Sequence, residues 1–179
     1  VYKRQQWTVT GAGAFLLERG CGGKVLINEV LPGTVRNAGI DDPNNMGAAM
    51  APAAFDTLSA HFAATGTKPA DYDLVVTGDL GRLGHRIVTD LFREKGVDMG
   101  GRYTDCGLLL YDIQGQDMHA GASGCGCAAS VLCGYLLREM EEGKWDRILF
   151  APTGALLSPT TTFQGESIPA ICHALTIQR

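Results

Sequence analysis

The sequence predicts a layered α/β fold, in which α-helices cover a mixed β-sheet. Short apolar runs typical of buried strands alternate along the chain with segments whose apolar residues recur at helical spacing. The 179 residues suffice for about one domain with a substantial core, and a hydrophobic content of 45% is typical of globular proteins. The 24 glycines, close to twice the usual share of about 7%, indicate either tight connections between layers or ligand sites lined by backbone.

The N-terminal region is predicted to contain two strands. Residues 7–17 (WTVTGAGAFLL) predict a strand with a glycine bend, and Lys24–Leu31 (KVLINEVL) predicts a second strand. The glycine cluster Gly20–Gly23 indicates a turn, so we expect the two strands to pair as a hairpin. Residues 32–45, which end in DDPNN, are predicted to form a loop.

Two helices are predicted on either side of a short buried strand. Pro52–Ala64 has apolar residues at helical spacing, and Pro52 fits the first turn, where its missing N–H costs nothing. Tyr72–Thr77 (YDLVVT) is typical of a buried strand. Arg82–Lys95 repeats the helical spacing, and Gly96 ends it.

The C-terminal part predicts one more helix among extended segments. Leu108–Ile113 is predicted to be extended, and a helix is predicted over about Gly124–Glu142. Ile148–Ala151 (ILFA) predicts a buried strand, Thr153–Pro159 a turn and Ile168–Ile177 a final strand.

Met118–Ala129 (MHAGASGCGCAA) is the segment that gives the strongest indication of function. A histidine, a glycine-rich turn and a serine lead into the predicted helix, whose first turn presents unpaired N–H groups and positive dipole. Glycine lets the backbone approach a ligand closely, and His119 can donate to a bound group or titrate against it. The turn therefore suits a carboxylate, a phosphate or an oxyanion, although a tight connection with nothing bound fits the composition equally well.

Composition and charge exclude several classes of function. The net charge is −4 and basic residues cluster only at residues 1–4, so the electrostatic footprint of a nucleic-acid-binding protein is absent. No apolar run approaches the roughly 18 to 20 residues of a membrane span. The start, VYKRQQWTV, lacks both an initiating Met and the apolar core of a signal peptide. We therefore expect a fragment of a longer chain, with residues 1–5 extraneous to the domain.

The cysteines favour neither a metal site nor disulfides. Cys125 and Cys127 form a CxC pair without a second thiol pair at zinc-finger spacing. An acidic chain without a secretion signal is expected to keep its thiols reduced, so we predict no metal and no cofactor. A thiol pKa can fall in the first turn of a helix, but close packing of small residues explains this pair better. The six cysteines are Cys21, Cys106, Cys125, Cys127, Cys133 and Cys172.

Other polar residues have structural explanations. Asp79 is expected to cap or orient the start of the predicted helix Arg82–Lys95, because aspartate is a strong helix-start residue. Ser123 is expected to be the N-cap of the next helix, with ligand contact as the alternative. His85 is predicted to lie on a solvated helix face, His61 has no partner nearby in sequence, and His173 is predicted to be a core histidine.

Several runs, in order, resemble the C-terminal half of the thiolase fold. MGAAMAPAAFDTL (Met46–Leu58) is similar to the thiolase segment in which a Met-Gly pair precedes a proline and a helix. HAGASG (His119–Gly124) is similar to the histidine loop, and ILFAPTGALLSP (Ile148–Pro159) to the glycine-rich C-terminal loop. This resemblance implies a thiolase-like C-terminal half over residues 6–179.

Within that superfamily the chain more closely resembles the stage V sporulation protein AD family. Three further runs carry this resemblance: YDLVVTGDLG (Tyr72–Gly81), DCG (Asp105–Gly107) and QGESIPAICHA (Gln164–Ala174). No role for Asp105 or Cys106 follows from the residues themselves.

The departures from true thiolases imply a protein that is not an enzyme. Thiolases carry their histidine in an HPxGxSG pattern, one residue further from the glycine than His119 is from Gly121. Their C-terminal loop supplies a cysteine acid-base, whereas the matching residues 152–156 (PTGAL) contain none, and threonine does not titrate near neutrality. An acyl-CoA-dependent condensing enzyme or acyltransferase is the alternative function.

The resemblance implies binding of dipicolinic acid, a small aromatic dicarboxylate of bacterial spores, for its uptake or release. The chain would be a peripheral subunit of a channel assembly at the spore inner membrane, with no membrane span of its own. Its partners would be the other channel subunits, and homodimer contacts would lie in an N-terminal half that precedes this segment. The resemblance implies these ligand-binding residues: His119, Gly121, Ser123, Gly124, Thr153 and Gly154.

Overall fold

The computed structural model describes residues 5–20 and 23–179. The predicted extraneous start therefore lies outside the described residues except for Gln5, and so does Cys21. The strands are, in chain order, β1 (Trp7–Thr8), β2 (Leu26–Leu31), β3 (Arg36–Asn37), β4 (Leu74–Thr77), β5 (Tyr103–Asp105), β6 (Ala122–Ser123), β7 (Arg147–Ala151), β8 (Thr153–Ala155), β9 (Pro169–Cys172) and β10 (Ala174–Gln178).

The helices are α1 (Met46–Thr65), α2 (Gly81–Glu94), α3 (Cys106–Leu109), α4 (Cys127–Val131), α5 (Leu137–Glu141) and α6 (Pro159–Phe163). A π-helical segment, Leu132–Leu136, joins α4 to α5, and 3-10 turns lie at Pro69–Asp71 and Gly100–Arg102. Within the described part of the chain, no helix combines the length and the apolar character needed to cross a bilayer.

A five-stranded mixed sheet in the order β2-β10-β7-β4-β5 forms the centre of the molecule. Strands β7, β4 and β5 are parallel, whereas β10 is antiparallel to both β7 and β2. A smaller antiparallel sheet has the order β3-β9-β8, and β1 pairs in parallel with β6. The mixed sheet agrees with the predicted fold class.

Helices cover both faces of the large sheet. Alternate strand residues point to opposite faces, so Val75 and Leu149 pack in one apolar cluster while Val76 and Ile148 pack in the other. The first cluster is completed by α1 and α2, and the second by the helical stretch of residues 127–141. The predicted layered α/β class, with helices covering a mixed sheet, is confirmed.

The predicted N-terminal hairpin is wrong. Only Trp7–Thr8 of the long predicted strand is extended in a sheet, and it pairs with β6 instead of β2. Strand β2 pairs with β10 near the other end of the chain. Both pairings join residues distant in sequence, and local glycine spacing carries no information about such partners.

Several predicted boundaries also differ. Helix α1 begins at Met46, so Pro52 lies inside the helix and not in its first turn. The alanine-rich residues before Pro52 have high helix propensity. Pro52 removes one backbone hydrogen bond, but the helix continues through it because the residues around it are packed in the core. The segment predicted to be extended at Leu108–Ile113 overlaps α3 at its start. The predicted turn after Pro152 contains β8, because these residues pair with β9.

The predicted final strand is divided between two sheets at His173. Strand β9 belongs to the small sheet and β10 to the large sheet. His173 lies between them and is exposed, with its Nδ1 accepting the Gly33 N–H at 3.1 Å. The prediction of a core histidine at this position is wrong, because the residue stands at the crossover and not within a strand.

Candidate functional site

A cavity of about 450 Å³ lies at the carboxyl end of the parallel strands. Parallel α/β sheets bind ligands preferentially at this edge. Four of the predicted site residues line the cavity: Ser123 and Gly124 from the loop before α4, and Thr153 and Gly154 from β8. The other lining residues are Gln5, Gln6, Thr8, Pro43, Asn44, Met46, Met50, Asp79, Cys125, Ala128, Ala155 and Leu157.

Asp79 joins the two loops that line this cavity. Its Oδ2 accepts hydrogen bonds from Ser123 Oγ at 2.8 Å and from Gly124 N at 2.9 Å. Its Oδ1 accepts from Thr153 Oγ1 at 2.9 Å, and its own N–H donates to that hydroxyl at 3.0 Å. The side chain is nearly buried. It therefore aligns three segments that are far apart in sequence.

Of the two roles predicted for Asp79, capping of the following helix is wrong. Leu80, in a helical conformation and without a capping side-chain hydrogen bond, precedes the first residue of α2. Ser123 is likewise not the N-cap of α4, because it lies in β6 and Gly126 occupies the N-cap position. Both side chains instead bond each other across the cavity wall.

The chain therefore supplies its own carboxylate to the glycine turn. The amide of Gly124, which the sequence marks as a donor for an external anion, is bonded to Asp79. Gln6 reinforces the arrangement from the N-terminal side. Its Nε2 donates to the Asp79 carbonyl at 2.8 Å and to the Ala122 carbonyl at 2.9 Å.

His119 and Gly121 lie beside the cavity-lining residues and not among them. The half-buried His119 ring lies 5.7 Å from the Trp7 ring, centroid to centroid, and the His119 backbone has a φ of 49°. Gly121 has a φ of 108°, and a Cβ there would stand 2.5 Å from the Gly107 carbonyl oxygen. Its own carbonyl accepts from Trp7 N at 2.8 Å. The geometry assigns both residues to the turn that holds β1, and the ligand role predicted for them rests on the resemblance alone.

The two thiols of the CxC pair have different environments. Cys125 is exposed and lines the cavity, whereas Cys127 is buried with its Sγ 3.9 Å from the Gly78 carbonyl oxygen. Burial raises the pKa of Cys127 to about 12, and the nearby carboxylates Asp79 and Asp105 add to the increase. The prediction that close packing explains this position is confirmed for Cys127. Among the described residues, no three His, Cys, Asp or Glu side chains are grouped to hold a metal.

Asp105, for which no role follows from the sequence, accepts more hydrogen bonds than the other carboxylate described near the site, Asp79. It is fully buried and accepts from Thr77 Oγ1 at 2.7 Å, Leu80 N at 3.0 Å, Gly81 N at 2.9 Å and Gly107 N at 2.9 Å. Burial raises the pKa of the Asp105 carboxyl to about 6, although these hydrogen bonds oppose the increase. Asp105 is the last residue of β5, a strand that the apolar pattern of the sequence did not predict, so no local signal marked it.

Two further histidines are satisfied within the protein. His61 is buried and hydrogen-bonds Tyr72 Oη at 2.9 Å, a partner eleven residues away. His85 is half-buried and stacks on Tyr103 with ring centroids 4.3 Å apart, so the prediction that it lies on a solvated helix face is wrong. Neither histidine lines the cavity.

The fold and site thus define a layered α/β protein with a ligand-sized cavity at the carboxyl edge of its parallel strands. The family model of Stage V sporulation protein AD (SpoVAD) matches residues 2–178. Stage V sporulation protein AD from Bacillus subtilis (strain 168) is 44% identical over 172 residues, which cover 96% of this chain and 50% of that protein. The chain belongs to the stage V sporulation protein AD family, and it spans about half the length of this relative.

A solved structure was also found to be similar. 3-Oxoacyl-[acyl-carrier-protein] synthase III from Aquifex aeolicus VF5 matches with a TM-score of 0.45 and 13% sequence identity. The match covers 89% of this chain and 46% of that one.

Proposed function

We propose that this protein binds dipicolinic acid without transforming it, as a peripheral subunit of a channel assembly that moves this dicarboxylate into or out of bacterial spores. The observation that carries the proposal is that two predicted ligand loops line the same cavity. Two loops that the sequence marks as ligand loops, around Ser123 and Thr153, line one cavity in a chain of a sporulation family.

The cavity has the size and lining that a small planar acid requires. Its volume of about 450 Å³ lies within the range of about 300–1,000 Å³ usual for small-ligand sites. Met46, Met50 and Leu157 offer apolar surface for the faces of an aromatic ring. The side-chain amides of Gln5 and Asn44 offer donors for carboxylates.

Asp79 is the only carboxylic acid among the lining residues described, and both of its side-chain oxygens accept hydrogen bonds from protein groups. Three donors, Ser123 Oγ, Gly124 N and Thr153 Oγ1, bond its two oxygens. Charge-assisted hydrogen bonds of this kind offset the repulsion that a free carboxylate would exert on an anionic ligand. We therefore place the ligand's carboxylates at the side-chain amides of Gln5 and Asn44 and not at Asp79.

The proposal of binding without chemistry is supported by the thiols. Residues 152–156 contain no cysteine, and the raised pKa of Cys127 keeps that thiol protonated at neutral pH.

Acyl transfer is the second candidate function, and the exposed thiol of Cys125 in the cavity is the observation that favours it. Acyl-enzyme formation from an acyl-CoA, lost in Cys125→Ser, would establish that candidate and contradict binding without chemistry.

Calorimetric titration of the purified protein with dipicolinate tests the proposal. Benzene-1,3-dicarboxylate, which lacks the ring nitrogen, is the ligand control, and Thr160→Val is the protein control because Thr160 is exposed outside the cavity. We expect saturable heat with dipicolinate, at least tenfold weaker in Thr153→Val and unchanged in Thr160→Val. Absence of binding at concentrations well above millimolar would contradict the proposal.

A further inference from the structure

We propose that an apolar cleft between α1 and α2 is a second binding site, which takes a small monocarboxylic acid with an aromatic or branched apolar body. The cleft has a volume of about 330 Å³ and shares no lining residue with the candidate site. Binding here is independent of the function proposed for the candidate site. The residues that line the cleft are Phe55, Ser59, Phe62, Phe92, Lys95 and Val97.

Three phenylalanine rings give the cleft its shape. The Phe55 and Phe92 ring centroids are 4.8 Å apart at an interplanar angle of 63°, and those of Phe62 and Phe92 are 6.0 Å apart at 67°. Aromatic pairs favour this edge-to-face arrangement. Phe62 and Phe92 are buried and Phe55 is half-buried, so packed side chains form the cleft before any ligand enters.

Two polar groups of the cleft are available to a ligand. Ser59 Oγ has no hydrogen-bond partner in the described part of the chain, and the Lys95 ammonium forms no ion pair there. Among the described residues that line the cleft, Lys95 is the only charged one. Charge complementarity therefore selects an anion, whose apolar body would contact the phenylalanine rings.

The backbone at the end of α2 does not compete for the ligand. The Phe92 carbonyl accepts from Lys95 N at 3.0 Å and from Val97 N at 2.9 Å, and the Arg93 carbonyl accepts from Gly96 N at 2.9 Å. Because these carbonyls are already bonded within the chain, they require no donor from the ligand.

The number of donors and the volume of the cleft define the class of ligand. One carboxylate has two oxygens, which match the Ser59 hydroxyl and the Lys95 ammonium. A second carboxylate would find no further side-chain donor in the lining, so a monocarboxylate fits better than a dicarboxylate. The volume lies at the lower end of the range of about 300–1,000 Å³ for small-ligand sites, which suits one ring or one branched chain.

An amide chemical-shift titration at neutral pH tests the proposal. The probe is 3-phenylpropionate, and its neutral counterpart 3-phenylpropanamide is the ligand control. We expect 3-phenylpropionate to shift the Ser59 and Lys95 amide signals saturably, while the signal of Gly124 in the candidate site stays unchanged. The amide is expected to bind about threefold to fivefold more weakly, since an exposed ion pair contributes modestly. Shifts confined to Gly124, or no saturable shifts, would overturn the proposal.

Lys95→Gln tests whether the lysine recognises the carboxylate. This variant is expected to bind the acid and the amide equally well, because the charge that distinguishes them has been removed. Lys24→Gln is the matched control, since it removes the same charge at an exposed position outside the cleft. It should keep the preference for the acid. A preference that survives unchanged in Lys95→Gln would overturn the proposal.

Filling the cleft tests its location. Ser59→Leu places an apolar side chain among the lining residues, whereas Ala60→Leu adds the same side chain at the next, exposed position of α1. Leucine favours the helical conformation, so both variants are expected to fold. We expect Ser59→Leu to abolish the saturable shift at Lys95 and Ala60→Leu to preserve it. Equal binding of 3-phenylpropionate by the two variants would place the ligand elsewhere and overturn the proposal.

Discussion

Asp79 and Thr153 exchange two hydrogen bonds across a sequence separation of 74 residues. The Thr153 hydroxyl donates to the Asp79 carboxylate and accepts the Asp79 N–H, so it uses its donor and one of its acceptors on the same residue. This pair closes the cavity between the end of β4 and the start of β8. A threonine is suited to this position because its hydroxyl can donate to the carboxylate and accept the amide hydrogen at the same time.

Thr153→Val is expected to lower the free energy of unfolding by about 1–3 kcal/mol, because it leaves the Asp79 carboxylate and amide without this partner in a nearly buried place. Urea denaturation measures the change. Thr160→Val, at an exposed position, is expected to change the unfolding free energy by less than about 0.5 kcal/mol. Equal stability of the two variants would show that the Asp79–Thr153 pair contributes nothing.

Gly121→Ala is expected to destabilise the protein by about 1–3 kcal/mol, because the new Cβ would meet the Gly107 carbonyl at a φ of 108°. Gly134→Ala is the matched control. Gly134 lies in the helical stretch after α4 with open space around its Cβ position, so alanine is expected to be neutral or stabilising. Thermal unfolding midpoints that move in the same direction would contradict this account.

The pH dependence of stability should carry a signature of Asp105. Its folded-state pKa of about 6 lies above the ordinary value of 3.8, so the folded protein binds more protons than the unfolded chain between about pH 4 and pH 6. The Asp105 contribution to stability therefore decreases as the pH rises through this window. Asp105→Asn is expected to abolish that decrease, which denaturant midpoints at successive pH values measure. The same slope in variant and wild type would assign the titration to another group.

The thiols are expected to react selectively with an alkylating reagent. Exposed Cys125 should be modified in the native protein, whereas Cys106, Cys127 and Cys172 are buried with raised pKa values and should react only after unfolding. Peptide mass spectrometry after timed labelling distinguishes them. Modification of Cys127 as fast as Cys125 under native conditions would contradict the described packing.

Apolar periodicity predicted much of the fold. It located α2, β4 and β7 to within a few residues, because each buries a face whose spacing follows the geometry of its own backbone. The hairpin prediction failed at β1 and β2, whose partners are strands more than one hundred residues away. Short-range turn signals do not encode such distant pairings.

The sequence predicted the loops of the candidate site better than the polar residues that hold them. Resemblance placed Ser123 and Thr153 at ligand loops, and both line the cavity. The roles of Asp79 and Asp105 depend on hydrogen bonds between strand ends, and local helix-capping rules explained Asp79 differently. Only the assembled sheet brings these two carboxylates to the same edge.

The location of bound dipicolinate in a crystal structure of the complex tests the central claim most directly. The ring is expected between Met46 and the β8 loop, with its carboxylates near the Asn44 and Gln5 amides and the Asp79–Thr153 pair intact. Dipicolinate bound elsewhere, such as beside His119 and Trp7 with this cavity empty, would contradict the assignment of the site.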